Sequence, residues 1–181
     1  MNKLITVFLC LLFTAPFNVF ACERTFSVAS HDAFWPPYVM GINGKLQGSE
    51  VDALNIIFAD SPFCFEVKLL PNSNRAFIEL KYGRIDLGWA ASYTDKRAKY
   101  VHFSDTYRTE VMRLYENTNN QHNVKNLEDI FKQGLTVGAN FGSYYGEEFE
   151  QYKTKYKKQI EYTSATSKRF EMLNKQRIDF A

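Results

Sequence analysis

Phe77-Ile-Glu-Leu-Lys-Tyr-Gly-Arg-Ile-Asp86 and Phe170-Glu-Met-Leu-Asn-Lys-Gln-Arg-Ile-Asp179 carry one pattern twice. Phe, Leu, Arg, Ile and Asp coincide in register. Each copy reads as a helix running into a strand that begins at Arg-Ile-Asp, which points to two lobes built on one plan. Outward from the first copy, residues 25–30 alternate apolar and polar and read as a strand. Residues 50–60 place Val51, Leu54, Ile57 and Phe58 at helical spacing, with Glu50 and Asp52 in the first turn, where the helix dipole favours acids. Residues 63–70 read as a second strand. A helix follows over 74–81, capped by Asn74 and stopped by Gly83. Residues 85–90 form a largely apolar third strand, expected to be buried on both faces. Alternation of this kind predicts an α/β fold with a parallel sheet and right-handed crossovers.

Residues 31–38 are a loop, because Pro36 and Pro37 cannot continue a ladder. Gly41, Asn43, Gly44 and Gly48 mark turns. Residues 108–115 are extended and lead into a polar stretch, 117–123, without a large apolar side chain. That stretch marks a boundary between lobes. Beyond it come a short helix from Leu127, a strand at 135–139, a helix opening at Gly142 and running to 152, a strand at 159–162, a helix at 170–175 and a strand beginning at Ile178. The expected organisation is therefore a signal segment over 1–21, a first lobe over 22–112 and a second lobe over 113–181.

The segment 1–21 has Lys3 as its only charge, an apolar run over 4–13 and Val19-Phe20-Ala21 before the expected cut, the pattern of a secretory signal. The run is too short to span a bilayer. Cys10 leaves with the signal. Cys22 and Cys64 remain as an even pair in an oxidising compartment, where a disulfide is expected. The alternative fate of Cys22 is lipid modification, since Val19, Ala21 and Cys22 partly fit a lipobox. The net charge is +2, and +1 without Lys3, a balance that argues against a nucleic-acid partner. Aromatic residues make up 16% of the chain, enough to build a core and also line a site. His31, His102 and His122 lack metal-ligand spacing, and no Ser/His/Asp arrangement emerges, so neither a metal, a cofactor nor a catalytic residue is assigned.

Chemistry concentrates after the third strand, where open parallel sheets bind ligands. Ser92 and Thr94 offer hydroxyls, and Thr94 is placed to cap a short helix. Free N–H groups at a helix start suit an anion. Arg97 adds a planar fork that can grip a carboxylate with two hydrogen bonds. An ordinary surface arginine beside an N-cap accounts for the same spacing. Trp35 and Tyr38, held by two prolines, are rigid aromatics able to stack on a ligand; Tyr38 fits the core as well.

Trp35-Pro-Pro-Tyr38, Gly44-Lys-Leu-Gln-Gly48 with Glu50-Val-Asp52, Leu80-x-x-Gly-Arg-Ile-Asp86, Thr94-Asp-Lys-Arg97, Phe103-Ser-Asp-Thr-Tyr107, Leu127-Glu-Asp129 and Val137-Gly138 occur in that order. In this series the chain, from about Thr25 to its last residue, resembles the bacterial extracellular solute-binding proteins of family 3, which have the type 2 periplasmic binding fold. The resemblance implies a two-lobed periplasmic-binding-protein (Venus-flytrap) fold with a hinge and a ligand between the lobes. It implies that Arg97 binds an α-carboxylate with help from the Ser92 hydroxyl, that Trp35 stacks over the ligand and that Asp32 contacts its side chain. Gly142-Ser143-Tyr144 matches the family's turn at a helix start.

Some positions depart from the family. Ala90 stands where many members carry a ligand-contacting serine, Tyr144 replaces a small hydroxyl residue, and Glu50 replaces an aspartate. The family's acid for the ligand amino group falls beyond Ala181, so the second lobe and the return segment are expected to be incomplete. The implied function is capture of an amino acid or similar small zwitterion for an ABC permease, by a periplasmic monomer that is not an enzyme. A sensing module, a periplasmic enzyme on the same fold and a non-functional truncated product are the alternatives.

Overall fold

A computed structural model of the chain describes residues 22–30 and 34–181. The signal segment and Asp32 lie outside the described residues. Strand β1 (Arg24–Ser30) is central in the first lobe, with β5 (Phe63–Leu69) on one side and β6 (Leu87–Gly88) on the other, both parallel to it. Helix α1 (Ser49–Ala59) precedes β5, α2 (Ser73–Lys81) follows it, and the short α3 (Asp95–Ala98) comes after β6. The expected parallel sheet is present. A disulfide joins Cys22, just before β1, to Cys64 on β5. It closes a loop with a sequence separation of 42, for which the chain-entropy account gives a stabilisation of about 4 kcal/mol.

Four local expectations need correction. The loop at 31–38 contains a short strand, β2 (Phe34–Trp35), which begins an antiparallel sheet with β3 (Val39–Ile42) and β4 (Lys45–Gln47). Asn43-Gly44 closes the β3–β4 hairpin with φ of 51° and 76°, the two positive values of a type I′ turn. The cap of α2 is Asn72, not Asn74: the Asn72 side chain accepts from the Arg75 amide at 3.0 Å. On α1, Val51 and Leu54 are buried but Ile57 is 69% exposed, because Phe58 takes the inward side and packs its ring on Phe26 and Phe65. Finally, β6 is two residues long and pairs only with β1, and it is not buried on both faces: Leu87 is half-buried and Gly88 exposed.

The second lobe pairs β7 (Val137–Asn140) with β8 (Ile160–Thr163) in parallel. Phe180 extends this sheet by bridging to Val137 in parallel and to Glu116 in antiparallel. Helices α4 (Leu127–Lys132), α5 (Glu147–Lys155) and α6 (Thr166–Asn174) flank it. The core here is Ile130, Phe131, Val137, Ala139, Phe149, Ile160 and Phe180. In the first lobe Ala29, Ala76 and Ile85 form a smaller cluster. Among the described residues no helix is long and apolar enough to cross a membrane, and no acid, histidine or cysteine cluster could hold a metal ion.

The repeated decapeptide is a repeated structure. Asp86 accepts from the Ser27 amide at 2.9 Å and its hydroxyl at 2.7 Å, and the Asp86 amide donates back to Ser27 Oγ at 3.1 Å. Asp179 does the same with Thr136, at 2.7, 2.7 and 3.1 Å. Each aspartate thus fastens its strand to the neighbouring one, Asp86 at the middle of β1 and Asp179 just before β7. The helix ends match too. Arg84 N donates to Glu79 O, and Arg177 N to Met172 O, the wide bond of a Schellman motif.

Candidate functional site

The carboxyl ends of β1, β6 and β7 open on one cleft of about 710 Å³, lined by both lobes. Trp35, Ala90, Ser92, Arg97, Ser143 and Tyr144 all line it.

Arg97 sits on the short helix α3 (Asp95–Ala98), whose N-cap Thr94 accepts from the Arg97 amide at 3.2 Å. The side chain is turned inward: Arg97 is 9% exposed, and its guanidinium lies 4.0 Å from the Phe77 ring centre. Nη1 donates to the Ser92 carbonyl at 2.6 Å and Nη2 to the Gly142 carbonyl at 2.8 Å. One fork therefore holds a carbonyl from each lobe. No carboxylate among the described residues pairs with it, and burial lowers its pKa. An arginine keeps its charge even so, which leaves a buried cation facing the cleft without a counter-ion. It is the Ser92 carbonyl, not its hydroxyl, that meets Arg97.

Ala90 has φ of 49°, and its amide donates to the Tyr107 hydroxyl at 2.9 Å. Tyr107 in turn donates to Glu50 Oε2 at 2.6 Å. Burial, then that hydrogen bond, raises the Tyr107 pKa. Glu50, 3% exposed, also faces Arg108 Nε at 2.7 Å. The Arg108 guanidinium lies 4.5 Å from the Tyr38 ring centre and 5.3 Å from that of Trp35. Glu50, Tyr107 and Arg108 thus brace the aromatic wall of the cleft, a support that motif spacing alone does not reveal.

Across the cleft, the expected helix start at Gly142 is displaced. Ser143 N donates to Asn140 O in a turn, and α5 begins only at Glu147, after Gly146 at φ 100°. The Tyr145 hydroxyl causes the delay. It accepts from the Asn140 amide at 2.8 Å, so the chain must cross the end of β7 before it can coil. Ser143 and Tyr144 reach the cleft from this crossing, not from a helix N-terminus. Gly142, with φ 77°, packs against Asn74 at the start of α2: a Cβ there would stand 2.3 Å from Asn74 N.

A model of the bacterial extracellular solute-binding proteins, family 3, matches residues 27–173. The chain belongs to that family. Among solved structures, this family 3 chain is similar to an ancestral arginine-binding protein bound to arginine, at 25% identity and a TM-score of 0.74. The match covers 88% of this chain and 70% of that one. It is similar at 26% identity to an ancestral arginine-binding protein bound to glutamine, with a TM-score of 0.72, 86% of this chain and 67% of that one covered. An ancestral amino acid-binding protein, a precursor of cyclohexadienyl dehydratase, shares the fold at 22% identity and a TM-score of 0.71, with coverage of 86% and 68%. No curated protein matches the chain.

Proposed function

We propose that this family 3 protein captures an amino acid or similar small zwitterion between its lobes and delivers it to an ABC-type importer. The observation that carries this reading is Arg97: a buried guanidinium at a cleft between lobes, holding only neutral carbonyls. A ligand carboxylate replaces those carbonyls with a charge-assisted, two-point contact that is stronger than either. The family match and the amino acids bound by the two ancestral neighbours support the ligand class.

In this reading residues 22–112 and 113–181 act as lobes, and the linking segment 108–115 carries the hinge. Trp35 covers the ligand, Asp32 meets its side chain, and Ser92, Ser143 and Tyr144 complete the wall. Residues 1–21 direct export, which accords with the disulfide. The protein binds and releases, without chemistry of its own.

Isothermal titration of the protein against a panel of amino acids tests the proposal. At least one should bind, and Arg97→Ala should weaken it at least a hundredfold, since a paired carboxylate loses its cation. Equal affinity in Arg97→Ala would count against it.

A further inference from the structure

The second lobe contains another arginine directed to the same cleft. Arg169, on α6, lines it. Nη1 donates to the Tyr145 hydroxyl at 2.8 Å, Nε is buried without a hydrogen-bond partner, and no acid among the described residues pairs with it.

Its neighbours are also donors. The Tyr145 oxygen already accepts from Arg169 and from the Asn140 amide, so its own proton is left to donate. Thr166 lines the cleft as well, and its oxygen accepts from Asn140 Nδ2 at 3.1 Å, which again leaves a proton. Arg169, Tyr145 and Thr166 thus bring unused hydrogen-bond donors to the lining of the cleft. The matching ligand group accepts only, as an ionised carboxylate does.

The repeat sets a smaller strand residue beside this arginine. Superposing Phe77 on Phe170 puts Arg169 at the place of Ala76, and superposing Ser27 on Thr136 puts Gly138 at the place of Ala29. In the first lobe the two alanines pack together. In the second, a Cβ on Gly138 would stand 2.5 Å from Ile178 Cδ1 and 2.9 Å from Arg169 Cγ, so the glycine admits both side chains. The small residue on the strand and the long one on the helix fit each other.

We infer that Arg169, with Tyr145 and Thr166, grips a second anionic group, and that the ligand is an amino acid with a carboxylate side chain. The inference rests on the proposed binding function. The cleft has acids of its own, but Glu110 is paired with Arg108 at 2.7 Å and Glu148 is exposed. A cationic side chain such as arginine's meets like charge at Arg169.

Titration with L-glutamate, L-aspartate, L-glutamine, L-asparagine and L-arginine decides the question. An acidic amino acid should bind roughly ten- to a hundredfold more tightly than its amide, the worth of one charged hydrogen-bonded contact. Arg169→Met should erase that preference by weakening the acid more than its amide, and Arg169→Lys should retain part of it. The wild-type preference reads the inference even if Arg169→Met fails to fold. Glutamine or arginine binding as tightly as glutamate overturns the second grip and leaves the binding function standing. Binding to none of the five overturns the second grip, and the wider amino-acid panel then reads the binding function.

Discussion

Gln176 holds φ at 52°, a left-handed value that side chains with a Cβ adopt at a cost. Its counterpart in the first lobe is Gly83, at 65°. Both residues close a helix by the same Schellman bonds, and the geometry demands the positive φ whichever residue occupies it. Gln176 is exposed, so its side chain contributes little packing in return. Gln176→Gly should therefore stabilise the protein by about 0.5–1 kcal/mol, raising the thermal midpoint by roughly 2–4 °C in a chain of this size. A melting curve checks it. Arg97 shows what is legible at this scale. Its place after a Thr94 cap follows from four adjacent letters. Arg169 does not, because its partners Tyr145 and Gly138 lie far away along the chain and only the fold brings them together.

Two elements, β6 and the strand-like end of the chain at Phe180, are too short to hold themselves by ladder bonds alone. The aspartates before them supply the missing attachment. At Asp86, the Ser27 amide, then the Ser27 hydroxyl, and then Arg24 hold the carboxyl below the ordinary aspartate value. A carboxyl depressed on folding contributes fully above the unfolded value, about pH 4. The contribution fades as pH falls below that, through the folded value. Asp86→Asn should cost about 1–2 kcal/mol at neutral pH. It should also flatten the decline of the thermal midpoint on acidification from pH 5 to 3, measured beside the wild type.

At the scale of elements, strands and helices with a clear period are readable, and so is the parallel sheet. The start of α5 is not, since it follows a local side-chain bond, from the Asn140 amide at the end of β7 to the Tyr145 hydroxyl, that leaves no mark in the hydrophobic period. The β3–β4 hairpin was available in Asn43-Gly44 with its flanking apolar residues, a turn signal that outweighs the loop composition around it.

The two lobes meet where Gly142 rests on Asn74. A side chain at Gly142 would press on backbone atoms, 2.3 Å from Asn74 N and 2.7 Å from its Cα, which cannot rotate away. Gly142→Ala should force the lobes apart, remove the Arg97–Gly142 bond and raise the radius of gyration in small-angle scattering. Gly134→Ala is the matched control. Its φ of 78° imposes similar strain, but the new Cβ touches nothing, so the radius should not change. The two-lobed plan was legible from the repeated decapeptide, whereas the contact between the lobes was not, because nothing in either copy marks Gly142.

That contact bears on how the molecule would count its ligand. The carbonyls of Ser92 and Gly142 are an internal competitor, tethered at the mouth of the fork and present at constant effective concentration. A carboxylate that takes the fork through these two N–H groups displaces them, and its apparent affinity drops by the fraction of molecules whose fork is free. The same factor applies to every such ligand. It shifts the working concentration range as a whole and leaves the ranking of ligands to the rest of the cleft.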